Sequence, residues 1–234
     1  MLRGMQYTAN GLENKARAME IIANNLANVS SAGFKRSAVF SESLQNSGAS
    51  PQTESTPIEL IDFAQGRLQE TGNKLDLAIE GPGFFTVQTE QGLRYTRQGH
   101  FVPNPEGLLA TANGDLVLGQ SGPISVALDS SIAEDGSIHS NDGVVDKLAI
   151  VQVTDSGQLR RAGNGYFQAV DDRALTDSDA SVRIRTGFLE ESNVDALEEM
   201  ANMIDVYRQF EANQKALRAQ DETLEKAVNQ VGRV

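Results

Sequence analysis

The sequence predicts an α+β protein in which long N- and C-terminal α-helices, forming a coiled-coil-like pair, flank a central all-β domain of short antiparallel strands. Three patterns carry that expectation. Apolar residues near each end recur at alternating steps of three and four, Gly-containing turn pairs recur through the middle, and a polar stretch separates the two regimes. The expected divisions are an N-terminal helix with its turn over 1–36, a flexible arm over 37–66, the β-domain over 67–187 and a C-terminal helix over 188–234.

In the first helix, Leu2, Met5, Ala9, Leu12, Ala16, Met19, Ala23 and Leu26 follow the three–four step, which keeps side chains on one stripe of an α-helix. The helix is expected to stop near Val29, where Ser30, Ser31 and Ala32 lead to Gly33, a residue suited to a left-handed turn. Residues 37–57 are rich in Ser, Gln, Asn and Thr and close with Pro51 and Pro57. Such a stretch lacks the apolar content to fix itself and reads as a linker or arm.

From about residue 67 the period changes to two. Leu75, Leu77 and Ile79 alternate with Asp76 and Ala78, and Phe85-Thr86-Val87 follows a Gly81-Pro82-Gly83 break. Asn113-Gly114, Asp135-Gly136, Asp142-Gly143 and Asn164-Gly165 are pairs that favour the positive backbone angles of tight hairpins. Between such turns lie the expected strands Leu116–Leu118, Ile124–Leu128, Leu148–Val153 and Val182–Ile184.

The last helix starts at an expected capping box of Ser192 and Asp195. Its seam is Met200, Met203, Tyr207, Phe210, Gln214, Leu217, Asp221, Leu224, Val228 and Val231. Without Pro or Gly to Val231, it would run about 38 residues, roughly 57 Å, against a typical globular helix of about 11 residues. A small β-domain cannot cover that length. The expected assembly interface is therefore Leu2, Met5, Leu12, Met19 and Leu26 together with Met200, Met203, Tyr207, Phe210, Leu217, Leu224 and Val228.

Composition narrows the function. With 39% hydrophobic and 22% charged residues the chain reads as globular, and no apolar run nears the roughly 20 residues of a membrane span. A net charge of -12 argues against nucleic-acid binding, which needs clustered Lys and Arg. Charge is uneven: residues 1–36 hold five bases against two acids, and residues 190–234 hold ten acids against five bases. Opposite signs favour pairing the terminal helices with each other. The first residues lack the uninterrupted apolar core and cleavage site of a secretory signal, so no cleaved signal is expected.

The catalytic inventory is nearly empty. There is no cysteine, and Gly81-Pro82-Gly83 lacks the third glycine and helix start of a phosphate loop. His100 and His139 have no partner at metal-ligand spacing and read as ordinary β-surface residues. Asp171-Asp172 and Asp177–Asp179 lack EF-hand spacing and read as solvated loop charge. Asn28-Val29-Ser30 matches a glycosylation acceptor but sits at a helix end. No catalytic residue, cofactor or metal is expected.

Three segments, in order, carry a resemblance. Ile22-Ala23-Asn24-Asn25-Leu26-Ala27-Asn28-Val29-Ser30-Ser31-Ala32-Gly33-Phe34-Lys35-Arg36 resembles the N-terminal signature of bacterial flagellar rod and hook proteins. Leu75 to Phe85, followed by Tyr95-Thr96-Arg97-Gln98-Gly99-His100-Phe101, resembles that family's central β-region. Gly187 to Asp195 and Arg208-Gln209-Phe210-Glu211-Ala212-Asn213 resemble its C-terminal signature. The matching signature positions are Asn24, Asn25, Leu26, Asn28, Gly33, Phe34, Ser192, Asn193 and Val194.

The resemblance implies a structural subunit exported by the flagellar type III apparatus without a cleaved signal. It would polymerise helically with itself and adjoining rod and hook subunits into a hollow, torque-carrying shaft of the basal body. Neither nucleic acid nor membrane insertion is implied. One β-domain fits a rod protein, and a length of 234 suits the proximal member better than the distal one. The other reading is a non-flagellar β-domain binding protein whose helices pair only locally.

Overall fold

The computed structural model describes residues 2–40, 58–126, 130–140, 143–153, 156–171, 175–177 and 182–231. The interior of the expected arm at 41–57, Leu128, Asp142, Asp172 and Asp179 lie outside the described residues. The chain divides into two compact units. One holds residues 1–27, 37–62 and 194–234; the other holds 28–36 and 63–193.

The first unit contains α1 (Leu2–Ala27), β1 (Ser37–Phe40), β2 (Ile58–Ile61) and a C-terminal helix, α2 (Ala196–Val231). Helix α1 stops two residues short of Val29. β1 and β2 pair antiparallel, Ser37 opposite Ile61, so both ends of the expected arm at 37–66 carry strand. The N-cap of α2 is Asp195 itself. Its Oδ1 accepts from the Leu197 amide at 2.8 Å and the Glu198 amide at 3.2 Å, satisfying two orphan donors of the first turn. Glu198 and Glu199 add negative charge where the helix dipole is positive.

The second unit is the β region. Its strands are β3 (Leu68–Glu70), β4 (Leu77–Glu80), β5 (Phe84–Thr89), β6 (Gly92–Thr96), β7 (Phe101–Pro103), β8 (Leu109–Thr111) and β9 (Leu116–Val117). They continue as β10 (Ser131–Ile132), β11 (Ser137–Ser140), β12 (Gly143–Lys147), β13 (Ile150–Val153), β14 (Leu159–Gly163) and β15 (Tyr166–Ala169). The last are β16 (Leu175–Asp177), β17 (Arg183–Thr186) and β18 (Phe188–Glu190). The main sheet has nine strands, ordered β14-β15-β6-β5-β9-β8-β7, with β13 pairing both β5 and β16. A three-stranded sheet β10-β11-β12 and the pairs β17–β4 and β18–β3 complete it.

Local chemistry explains these strands. Asn164 and Gly165, between β14 and β15, have φ of 50° and 76°, both positive as a type I′ hairpin requires. β5 breaks the expected alternation because Phe84, Phe85, Thr86 and Val87 are all buried. Both of its faces are covered: Phe84 packs edge-on against Phe63 and Phe167, while Phe85 packs edge-on against Phe101. Ile124 is buried, yet the expected strand from Ile124 does not form there.

One expectation is overturned. The structure has a helix at each end flanking a many-stranded antiparallel β region, but the helices are not a matched, coiled-coil-like pair of long helices. They are unequal, 26 residues against 36. The covered line on α2 runs through Glu199, Met203, Val206, Phe210, Asn213, Leu217, Gln220 and Leu224, so polar residues interrupt it. A coiled-coil seam needs apolar side chains at both positions of each repeat.

Candidate assembly surface and signature cluster

In the helical unit, α1 and α2 are in contact. Gly11 marks the closeness: a Cβ there would lie 3.6 Å from Nδ2 of Asn213. Of the expected interface residues, Leu12, Met19 and Leu26 on α1 and Met203, Phe210, Leu217 and Leu224 on α2 are half-buried. Met200 and Tyr207 are exposed. Leu2, Met5 and Val228 lie within the helices. Among the described residues, the fully buried helical ones are Asn25 on α1 and Glu199 on α2, both polar. One chain thus leaves its terminal apolar surface partly open to water.

Asn25 has a defined task. Its Nδ2 donates to the Ser37 carbonyl at 2.8 Å, and its Oδ1 accepts from the Ser37 amide at 3.0 Å. A side-chain amide carries a donor and an acceptor in one plane, so it can close both backbone groups of a strand residue. This pins the start of β1 to the last turn of α1. Asn24 and Ala27 are exposed.

In the β unit, the segment after α1 meets the end of β18. Asn28 Oδ1 accepts from the Ser31 hydroxyl at 3.3 Å, tightening the turn. Gly33 takes φ +69° and its amide donates to the Glu190 carbonyl at 2.6 Å. A Cβ at Gly33 would fall 2.4 Å from the carbonyl carbon of Arg97, so only glycine fits. Asn193 accepts from the Arg36 amide at 2.7 Å and donates to the Ala64 carbonyl at 3.1 Å.

At the centre lies a buried ionic cluster. Lys35 Nζ is 2.5 Å from Oε1 of Glu190, which also accepts from the Gly66 amide at 2.9 Å. Arg97 Nη1 donates to Oε2 of Glu190 at 3.2 Å, and its Nη2 donates to the Gly81 carbonyl at 2.8 Å. Burial pushes the Arg97 guanidinium below its ordinary pKa, and the charge of Glu190 opposes that push. Around the cluster, Arg161 lies 4.5 Å from the Phe34 ring centroid and Arg97 lies 5.2 Å from that of Phe84. Both carboxylate oxygens of Glu190 are engaged and buried, so the cluster fastens chain segments and presents no reactive group.

The structure therefore brings Gly33, Phe34 and Asn193 together. Val194 is buried in the helical unit, and Ser192 is half-buried beside Asn193. Sequence reasoning missed Ser37 as a working residue, and quoted Lys35, Arg97 and Glu190 only within the family motifs. The one available signal was charge inside apolar surroundings, as in Gly33-Phe34-Lys35 and Phe188-Leu189-Glu190. His100 Nδ1 donates to Oδ1 of Asp76 at 2.7 Å. Among the described residues, no group of three or more His, Cys, Asp or Glu is placed to hold a metal.

Three family models match successive parts of the chain. Residues 5–35 match "Flagella basal body rod protein", 78–145 match "Flagellar hook protein FlgE/F/G D1 domain", and 185–231 match "Flagellar basal body rod FlgEFG protein C-terminal". Each matched segment contributes one ionic group of the cluster: Lys35, Arg97 and Glu190 respectively. The chain is 31% identical to "Flagellar basal-body rod protein FlgF" of Caulobacter vibrioides, over 93% of both chains. It is 31% identical to "Flagellar basal-body rod protein FlgG" of Bacillus subtilis, over 98% of this chain and 99% of that one. Identity to FlgF of Escherichia coli is 33%, over 94% of this chain and 95% of that one.

Proposed function

The chain belongs to the flagellar basal-body rod protein family and is a structural subunit of that rod; we propose that it polymerises through its terminal helices into a hollow, torque-transmitting axial shaft, as a proximal rod subunit. The observation that carries this reading is the incomplete cover of the helices. Leu12, Met19, Leu26, Met203, Phe210, Leu217 and Leu224 are all only half-buried within one chain. Apolar surface left in water favours association, and a repeated contact whose rotation does not close gives a helical filament. The ionic cluster gives the β unit a rigid anchor for the segment that follows α1. Its partners are copies of itself and adjoining rod and hook subunits, reached after export by the flagellar type III apparatus.

The test is electron microscopy of the concentrated chain beside the double variant Leu26→Asp with Leu217→Asp. The wild-type chain is expected to form tubes or filaments. The variant is expected to lose them, and motility, while its β unit still folds. Filaments from the variant would contradict the reading.

A further inference from the structure

The β unit is closed by its own end. Among the described strands β3 pairs only with β18 and β4 only with β17, so the first two strands of the unit are held by the last two. Leu68 stands opposite Glu190 and Leu77 opposite Thr186. The backbone beside these strands follows the same rule. The Glu191 amide donates to the Arg67 carbonyl at 2.8 Å, and a Cβ at Gly66 would fall 2.0 Å from the Glu191 carbonyl oxygen. The Gly33 amide donates to the Glu190 carbonyl, and the Arg36 amide donates to Asn193. Glu190 is also the carboxylate beside which Lys35 and Arg97 enter the interior. Residues 183–193 thus form one continuous strap that seats β3, β4 and the 33–36 segment.

We infer that this strap closes last and that the unit stays open until it arrives. Two residues separate β5 from β6 and β14 from β15, and five separate β7 from β8, so these pairs close short loops. The strap pairs partners more than 100 positions apart. The entropy of closing such a loop must be met before its contacts form. Desolvation points the same way, because Lys35 and Arg97 gain from leaving water once Glu190 stands beside them. Synthesis delivers the N-terminus first. Gly33 and Lys35, in one matched family segment, are therefore fixed only when Glu190, in another, has been made. The strap acts as a check that the chain is complete, and it operates within one copy, apart from how copies assemble.

The test is refolding of the full-length chain from urea, with pulses of amide exchange read segment by segment by mass spectrometry. Amides of β5, β6, β14 and β15 are expected to gain protection first. Those of Gly33, Gly66, β3 and β4 are expected to follow later, together with residues 183–191. Stopped-flow rates give a second reading, which decides the matter when every segment is protected in one phase. Ile184→Val, at a buried position of the strap, is expected to speed unfolding about fivefold and leave the refolding rate unchanged. Val87→Ala, at a buried position of β5, is expected to slow refolding. Protection of β3 or β4 ahead of residues 183–191, or a refolding rate that Ile184→Val lowers as much as Val87→Ala does, would overturn the late closure. Either result would leave the rod reading standing.

Discussion

The Lys35 ammonium lies 2.5 Å from a Glu190 carboxylate oxygen, both side chains are fully buried, and 155 positions of sequence separate them. Arg97 shares the same carboxylate from the other side. Removing the anion leaves two buried cations facing each other. Glu190→Gln, which keeps the side chain's size, is therefore expected to destabilise the protein by about 3–5 kcal/mol. Urea unfolding followed by far-ultraviolet circular dichroism measures it; a loss below about 1 kcal/mol, the worth of an exposed pair, would contradict the burial argument.

Asn25 supplies both a donor and an acceptor to Ser37. Asn25→Ala leaves both backbone groups unsatisfied at a buried site and is expected to cost about 1–3 kcal/mol. Asn25→Asp keeps the acceptor and loses the donor, so its cost is expected to be smaller where the aspartate still receives the Ser37 amide. Hydrogen exchange at residues 37–40 reads the local effect. Unchanged exchange in Asn25→Ala would show that β1 is held by other contacts.

Two glycines should respond oppositely to alanine. At Gly99 a Cβ would stand 1.6 Å from the Leu77 carbonyl oxygen, a collision with backbone. Gly99→Ala is expected to lose about 3 kcal/mol or more, because a packed core yields only by shifting. At Gly11, inside α1, the added Cβ would meet Asn213 at an ordinary 3.6 Å. Gly11→Ala is expected to gain about 0.5–1 kcal/mol of helix stability. Thermal melts of both variants decide it, and a destabilised Gly11→Ala would mean that the helices approach more closely than this spacing allows.

Tyr166 gives the β unit an alkaline limit. Burial, together with donation from its hydroxyl to Asp115 at 2.6 Å, holds the phenol above its ordinary pKa. Hydrogen bonds from Thr111 and Asn113 oppose that rise. A raised folded-state value means that the contribution is fully present below about pH 10, the unfolded value. It is then lost as pH rises through the higher folded value. Urea midpoints measured across that range are expected to fall in the wild-type chain and to fall less steeply in Tyr166→Phe. Identical slopes would contradict the assignment.

The helices and the turn-rich β region were legible because they follow simple periods. Met203, Phe210, Leu217 and Leu224 lie on the covered line that the three–four step marks. Met200 and Tyr207 do not, because Glu199, Val206 and Asn213 occupy the alternate covered positions. Hydropathy alone sends Glu and Asn outward, so it could not find a polar helix–helix line, and the coiled-coil-like pairing fell for that reason. The ionic cluster was hidden the same way. Lys35, Arg97 and Glu190 are buried only because each finds the others, a relation across 155 positions that no local pattern records. The Asn25–Ser37 closure spans only 12 residues, yet depends on where α1 stops.

The most direct measurement compares amide hydrogen exchange in the free chain and in assembled rods. Half-buried seams in the lone chain imply that residues 8–27 of α1 and 196–226 of α2 exchange much faster than β4 and β5. Assembly should slow those helical amides and leave the β core nearly unchanged. Helical protection that already equals the β core in a stable monomer, and does not change on assembly, would contradict polymerisation through the terminal helices.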